Sequence, residues 1–177
     1  MEFQLRPWQK KDAASVATYA NNPKVSAYLR NGFPYPYTLA DAKDYVYFCM
    51  NVEPLKQLSR AIVVDGVAVG SISLFLQNDI CCKNAEIGYW LGEPFWGHGI
   101  MGEAVKLICR YGFNHYDIVR IFAQAFAANI ASYRLLEKNG FQREGVLRQA
   151  FYKNGRYCDG YLYSILADEV SFLGGEQ

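Results

Sequence analysis

The chain has no apolar run approaching the roughly 18 residues needed to cross a bilayer. It also lacks an excess of charge of either sign. Eighteen Lys and Arg stand against seventeen Asp and Glu, for a formal net charge of +1. No basic face is therefore expected for nucleic acid or for an anionic membrane. Histidine is scarce, with two in 177 residues. The cysteines Cys49, Cys81, Cys82, Cys109 and Cys158 are odd in number and irregularly spaced, so they spell no zinc pattern and no metal site is expected. Vicinal Cys81 and Cys82 are the pair open to redox chemistry, although buried or loop thiols are usually inert. Met1 to Lys11 mixes Glu2, Arg6 and Lys10 with no long apolar stretch, which does not read as a signal peptide. A reducing cytoplasm fits these absences. With no internal repeat and no linker, the expectation is one domain over residues 1–177.

What is present is the composition of a globular protein, 51% apolar and 20% charged. Phe3 to Leu5 reads as a short strand. Asp12 then caps a helix carrying Val16, Tyr19 and Ala20 that stops at Asn21-Asn22-Pro23. A short helical piece around Val25 to Leu29 runs into residues 31–37, where a glycine and two prolines forbid regular structure. Thr38, with Asp41 three residues on, starts a helix whose buried face is Ala42, Tyr45, Val46 and Cys49. The period then changes. Arg60 to Val64 and Val67 to Gln77 are strands around an Asp65-Gly66 turn, and Ala85 to Leu91 is another. A helix over Ile100 to Tyr116 presents Ala104, Val105, Ile108 and Tyr111. After it come a strand (Ile118 to Phe126), a helix (Asn129 to Asn139) and a hairpin (Phe141 to Tyr152, Arg156 to Leu166) turning at Asn154-Gly155. This order predicts a mixed, twisted sheet with helices on both faces, an α/β (mixed α+β) fold. Ligands of such sheets sit at the carboxyl ends of the central strands.

Trp96-Gly97-His98-Gly99-Ile100-Met101-Gly102-Glu103-Ala104 lies between a strand and a helix. Glycines let backbone approach a ligand closely, and the unpaired N–H groups of a first helical turn point at anionic oxygens. The segment therefore reads as a pyrophosphate cradle, against the plainer reading of a glycine-rich connection. Gly97, Gly99 and Gly102 also spell the dinucleotide fingerprint. That reading needs an acidic residue about twenty positions on, at the end of the next strand. The strand from Ile118 to Phe126 has none, and Asp117 precedes it.

Trp96 to Ala104 resembles the pyrophosphate loop of the GNAT superfamily of N-acetyltransferases, usually written Q/R-x-x-G-x-G/A. Trp96 stands where Gln or Arg is commonest, and Met101 where Gly or Ala is commonest. Trp followed by Gly, a basic residue, Gly and Ile is similar to the branch of ribosomal-protein N-terminal (RimJ/RimL-like) acetyltransferases. So are Ala85 to Leu91, and Asn129-Ile130-Ala131-Ser132 continuing through Glu137-Lys138-Asn139-Gly140-Phe141. The resemblance covers roughly residues 62–166. It implies a GNAT-like sheet of about seven strands and an N-acetyltransferase that uses acetyl-CoA as acyl donor. It also implies that the backbones of Tyr89, Trp90 and Leu91 pair with the pantetheine arm where that strand splays from its neighbour. The loop with Trp96, Gly97, His98, Gly99, Ile100, Met101 and Gly102 would take the pyrophosphate, with Asn129 beside the pantetheine or thioester.

Acyl transfer to an amine needs a base, because an α-amino group with pKa about 8 or a lysine above 10 is mostly protonated at neutral pH. Glu86, alternating with Gly88 and Trp90 along its strand, is the candidate base, acting through water; the alternative is a solvated or ion-paired glutamate. Backbone N–H groups of the splayed strand can donate to the oxyanion. In many relatives a tyrosine seven residues after the asparagine protonates the departing thiolate, but that position is Leu136 here. Leu136 instead suits a helix end in which it meets Phe141 past Gly140. Ser132 or Tyr133 could donate the proton, as could water. Asn129 is also a good helix cap, His98 reads as a phosphate or solvent contact rather than a base, and His115 as surface or capping.

Tyr28, Phe33, Tyr35 and Tyr37 crowd one loop, and Phe151, Tyr152, Tyr157 and Tyr161 the last hairpin. The resemblance makes these two regions the walls of the acceptor cleft, while core packing is the competing role of any one ring. Aromatic walls with little charge argue against a highly cationic polyamine and suit a peptide N-terminus or a small amine, and the RimJ/RimL-like resemblance points to the α-amino group of a protein or peptide. The alternatives are a small amine (polyamine, amino acid or antibiotic) and a non-catalytic acyl-CoA sensor. The chain is expected to be a monomer or homodimer.

Overall fold

β-branched runs and alternating patterns form seven strands: β1 (Gln4–Arg6), β2 (Gln57–Val64), β3 (Val67–Leu76), β4 (Asn84–Leu91), β5 (Arg120–Phe126), β6 (Gln142–Lys153) and β7 (Arg156–Leu166). The helices are α1 (Ala13–Ala20), α2 (Pro23–Ser26), α3 (Leu39–Asn51), α4 (Ile100–His115) and α5 (Ile130–Lys138). These elements belong to a computed structural model that describes residues 1–170. The strands make one mixed sheet, as the sequence pattern predicts, and their order is β1-β2-β3-β4-β5-β7-β6. β4 and β5 are parallel and are joined through α4, while β1–β2, β5–β7 and β6–β7 are antiparallel. Both two-residue turns form as expected. Asp65 and Gly66 have φ of 49° and 79°, and Asn154 and Gly155 have φ of 50° and 75°. Paired positive φ values are what a type I′ hairpin requires.

The chain divides into two compact units, Met1–Ser73 with Gly88–Ala104, and Leu74–Ile87 with the chain from Val105 on. The first is built on a cluster in which Val16, Ala20, Val25, Ala42, Val46, Ala61 and Trp90 are buried. α3 opens with the predicted capping box: Asp41 N donates to Thr38 Oγ1 (3.2 Å) and Thr38 N to Asp41 Oδ2 (2.7 Å). Beneath α3 lie serines on β2 and β3 that a dry core would penalise. Each is paired: Trp8 Nε1 and Ser73 Oγ both donate to Ser59 Oγ at 3.0 Å, and Ser71 Oγ is 2.7 Å from the Tyr45 hydroxyl. Asp12 departs from the sequence reading. It precedes α1, but its side chain makes no cap bond there. The buried carboxylate instead takes both guanidinium nitrogens of Arg6 at 2.7 Å and the N–H of Gln9 at 2.8 Å. A bidentate charged partner outcompetes a single helical N–H.

The second unit ends α5 as the sequence implies. Gly140 (φ 86°) donates to Glu137 O at 3.0 Å and Phe141 N to Leu136 O at 3.1 Å, with Leu136 and Phe141 both buried. These are the two bonds of the Schellman end. Tyr163, fully buried on β7, donates its hydroxyl to Glu137 Oε1 (2.8 Å), and burial pushes its phenol up to about 12. Tyr111 is a correction. It was expected on the apolar face of α4, but it is 39% exposed and stacks on His115 with ring centroids 4.0 Å apart. One helical turn separates the two residues, so the ring finds an aromatic partner on its own helix.

Gly70 on β3 sets how closely β4 can approach. A Cβ there would lie 2.5 Å from the Trp90 carbonyl oxygen and 3.1 Å from Leu91 Cα. A strand backbone cannot yield locally, so Gly70→Ala is expected to cost about 1–3 kcal/mol, measured as a lower midpoint in urea. An unchanged midpoint would show that β3 and β4 tolerate the methyl group.

Candidate active site

The turn after β4 folds back on the strand it leaves. Trp96 N donates to Glu93 O (3.1 Å), Phe95 N to Gly92 O (3.0 Å), and the Trp96 indole Nε1 to Leu91 O (2.7 Å). Gly97 and Gly99 follow with φ of 79° and 77°, the left-handed region that favours glycine. A Cβ built on either would meet no atom within 4 Å. The glycines are therefore demanded by backbone conformation, and the space above them is open. Glu103 N to Gly99 O (3.2 Å) is a first-turn bond of α4. The N–H groups of Ile100, Met101 and Gly102, ahead of it, have no place in the helical ladder. Ile100 and Met101 bury their side chains and anchor the turn, while His98 is exposed. An open turn feeding the positive end of a sixteen-residue helix has the geometry and dipole that favour an anion. The sequence-predicted residues 96–102 form this turn and the first residues of α4.

β4 carries the next group of predicted residues. Gly92 N pairs with Val69 O at 2.8 Å. The Trp90 carbonyl faces β3, as its closeness to Gly70 shows. Strand alternation therefore sends the backbone groups of Tyr89 and Leu91 to the opposite edge. The Trp90 side chain lies in the first unit's core against Phe33, with ring centroids 5.7 Å apart. Its Nε1 is buried without a hydrogen-bond partner among the described residues. Of the four rings expected to crowd the loop, Tyr37 is buried and Phe33 packs on it at 4.7 Å, so these two belong to the core. Tyr28 and Tyr35 are exposed.

In the second unit, Glu86 sits half-buried in the β4–β5 ladder, which joins Asn84, Ala85 and Glu86 to Arg120, Ile121 and Phe122. β4 itself continues to Leu91. Asn129 caps α5: its Oδ1 accepts from Ser132 N at 3.2 Å, which orients the side chain along the helix start. Ser132 and Tyr133 occupy that first turn, half-buried, with the Tyr133 ring edge-on to Tyr161 at 5.5 Å. Leu136 is fully buried. On the hairpin, Phe151 lies over Gly160, where a Cβ would be 2.4 Å from the ring, and Tyr152 and Tyr157 form an exposed pair at 5.1 Å. Sequence reasoning missed the irregularity of β6. Its pairing with β7 shifts between Leu147 and Phe151, Gln149 takes φ of 50°, and Gln149 N donates to Asp159 Oδ1 at 2.7 Å. No glycine marked that position.

Residues 2–142 match the acetyltransferase (GNAT) domain family. The chain is a GNAT acetyltransferase. It is 32% identical over 170 residues to the uncharacterized N-acetyltransferase p20 of Bacillus licheniformis, covering 94% of each chain. It is 35% identical over 86 residues to a ribosomal-protein-serine acetyltransferase of Escherichia coli, 49% of this chain and 48% of that one. Among solved structures it is similar to the microcin self-immunity acetyltransferase MccE in complex with acetyl-CoA and AMP. That pair has 28% identity and a TM-score of 0.81, covering 93% of this chain and 92% of the other. This GNAT enzyme is an acetyl-CoA-dependent N-acetyltransferase, and its relatives include ribosomal-protein acetyltransferases, as the RimJ/RimL-like segments imply. Among the described residues no helix is long and apolar enough to cross a membrane, and no group of three or more His, Cys, Asp or Glu is placed to hold a metal ion.

A valine at Gly99 would have to hold φ near 77°, which its β-branched side chain resists, and would project into the open cradle. Gly99→Val is expected to weaken coenzyme A binding at least about tenfold, roughly 1.4 kcal/mol, read by calorimetry. Unchanged affinity would remove the glycine turn from the binding site.

Proposed function

We propose that this enzyme acetylates the α-amino group of a protein or peptide, by direct attack of the amine on the thioester in a ternary complex. The observation that carries the cofactor half of this reading is the open turn at Gly97 and Gly99, leading into the N-terminus of α4. That cradle fits a pyrophosphate. Trp96 to Gly102 would hold it through backbone N–H groups, with His98 facing phosphate or solvent. The pantetheine arm would lie along Tyr89–Leu91, the stretch of β4 beyond the residues paired with β5. Because the Trp90 carbonyl faces β3, its backbone contacts fall to Tyr89 and Leu91. The Leu91 carbonyl already accepts from Trp96, so its N–H is the group left for the ligand. Asn129, which caps α5, is the residue that the family resemblance assigns to the pantetheine or thioester.

Acetyl-CoA would supply a thioester, an acyl donor already activated toward amines. Glu86 serves as base, taking the proton of the attacking amine through water. Backbone N–H groups of β4 donate to the oxyanion as charge develops. Ser132 or Tyr133, in the first turn of α5, returns a proton to the departing sulfur, because Leu136 has no proton to give.

The acceptor reading rests on the RimJ/RimL-like segments and on the ribosomal-protein-serine acetyltransferase among the relatives. Exposed Tyr28 and Tyr35 offer an apolar wall with little charge. A second reading, a small amine acceptor, is favoured by the likeness, 26% identity over 158 residues, to a spermidine N(1)-acetyltransferase of Escherichia coli. Tight acetyl-CoA binding with no amine-dependent thiol release would favour a third, an acyl-CoA sensor. We further infer a single functional domain, a cytoplasmic setting, a monomer or homodimer, and no nucleic-acid or membrane partner.

Two measurements test this. Thiol release assayed with short peptides bearing free or blocked N-termini, alongside spermidine and free amino acids, is expected to be fastest with free peptide N-termini. Faster turnover of a small amine would reassign the acceptor. Glu86→Gln is expected to lower turnover about 100-fold near pH 7. The deficit should shrink as pH rises past the amine pKa of about 8, where the nucleophile is neutral without help. A pH–rate profile parallel to wild type would take Glu86 out of the mechanism.

A further inference from the structure

We propose that Glu93 is a positioning residue that ties the coenzyme-binding turn to the aromatic segment of the acceptor wall, so that filling one site orders the other. This rests on the assignment of residues 97–102 to coenzyme A and of the exposed Tyr28 and Tyr35 to the acceptor side.

Glu93 stands four residues before Gly97, at the entrance of the turn. Its two carboxylate oxygens are used separately: Oε2 accepts from Asn22 Nδ2 at 2.7 Å and Oε1 from Lys24 Nζ at 2.5 Å. Asn22 is held at its other end as well, because its Oδ1 caps α2 by accepting from Lys24 N at 2.8 Å. The neighbouring Asn21 reaches the other way, and its Oδ1 accepts from Tyr37 N at 3.0 Å. Adjacent asparagines at one corner therefore hold the turn entrance and the end of the aromatic segment. Pro23 fixes the backbone beside them.

A second set of contacts runs parallel to the polar one. The Tyr19 ring meets Phe95 edge-on, with centroids 5.2 Å apart. Gly92 is close enough that an added Cβ would lie 3.0 Å from Tyr19 Cβ. The stretch 92–95 is thus gripped by the α1–α2 corner through two hydrogen bonds and a ring. The Glu93–Lys24 pair is largely exposed and its Coulomb contribution is screened. The device works through geometry, one carboxylate bridging two donors on a rigid corner.

A plain structural staple would alter resting stability but not the response to ligand. Hydrogen–deuterium exchange with and without saturating coenzyme A separates the two. In wild type, peptides covering 97–103 and peptides covering 28–38 are both expected to exchange at least about fivefold more slowly with coenzyme A. In Glu93→Ala the slowing at 97–103 should persist while that at 28–38 is lost, and Glu93→Gln, which keeps an acceptor for Asn22, should restore part of it. Slowing at 97–103 alone in wild type, or full slowing at 28–38 in Glu93→Ala, would overturn the coupling and leave the coenzyme site standing. No slowing at 97–103 would overturn the coenzyme assignment itself.

Discussion

The arrangement depends on one backbone constraint, a left-handed glycine turn held shut at its base and open at its top. Gly97 and Gly99 supply φ values that other residues rarely adopt. Trp96 closes the base by hydrogen-bonding the last carbonyl of β4. Burial of Ile100 and Met101 then starts α4 in the direction the turn sets. The pull of the helix end on an anion falls off within its first turn. A small change in how the chain enters α4 would therefore cost most of the electrostatic benefit. Gly70 extends the same constraint to β3, since it lets the backbone of β4 come close enough to orient Tyr89 and Leu91 away from it.

Buried polar groups in both units are placed where they hold elements rather than where they react. The Ser59, Ser73 and Trp8 group satisfies a polar seam under α3 with direct hydrogen bonds. The Tyr163 hydroxyl is spent on Glu137, one residue after the position where many relatives carry a tyrosine acid. Leu136 is locked into the end of α5, so that position has no proton to give. Cys109 fits the same pattern, because burial pushes its thiol up, away from the reactive thiolate.

Local signals in the sequence proved sufficient for the elements and the turn. Asp65-Gly66, Asn154-Gly155, the Thr38–Asp41 box and the Leu136–Phe141 helix end each carry their own chemistry within a few residues, and all form as read. Features that depend on a distant partner were not legible. Asp12 looked like a helix cap because nothing nearby revealed that Arg6 would claim it. Tyr37 and Phe33 looked like cleft walls because their burial depends on Trp90, more than fifty positions on. The left-handed Gln149 has no glycine or asparagine to announce it; its Asp159 partner is set by hairpin register. Nothing in the sequence near Glu93 marks its partners Asn22 and Lys24, about seventy positions earlier.

The position of the phosphates decides whether the glycine turn is the coenzyme site. A crystal structure of the enzyme with acetyl-CoA tests this directly. The expected result places pyrophosphate oxygens within hydrogen-bond reach of the backbone N–H groups between Gly97 and Gly102, with the pantetheine amides along Tyr89 and Leu91. Pyrophosphate bound away from that turn, with Gly97 to Gly102 making no contact, would contradict the central assignment while leaving the fold and family unchanged.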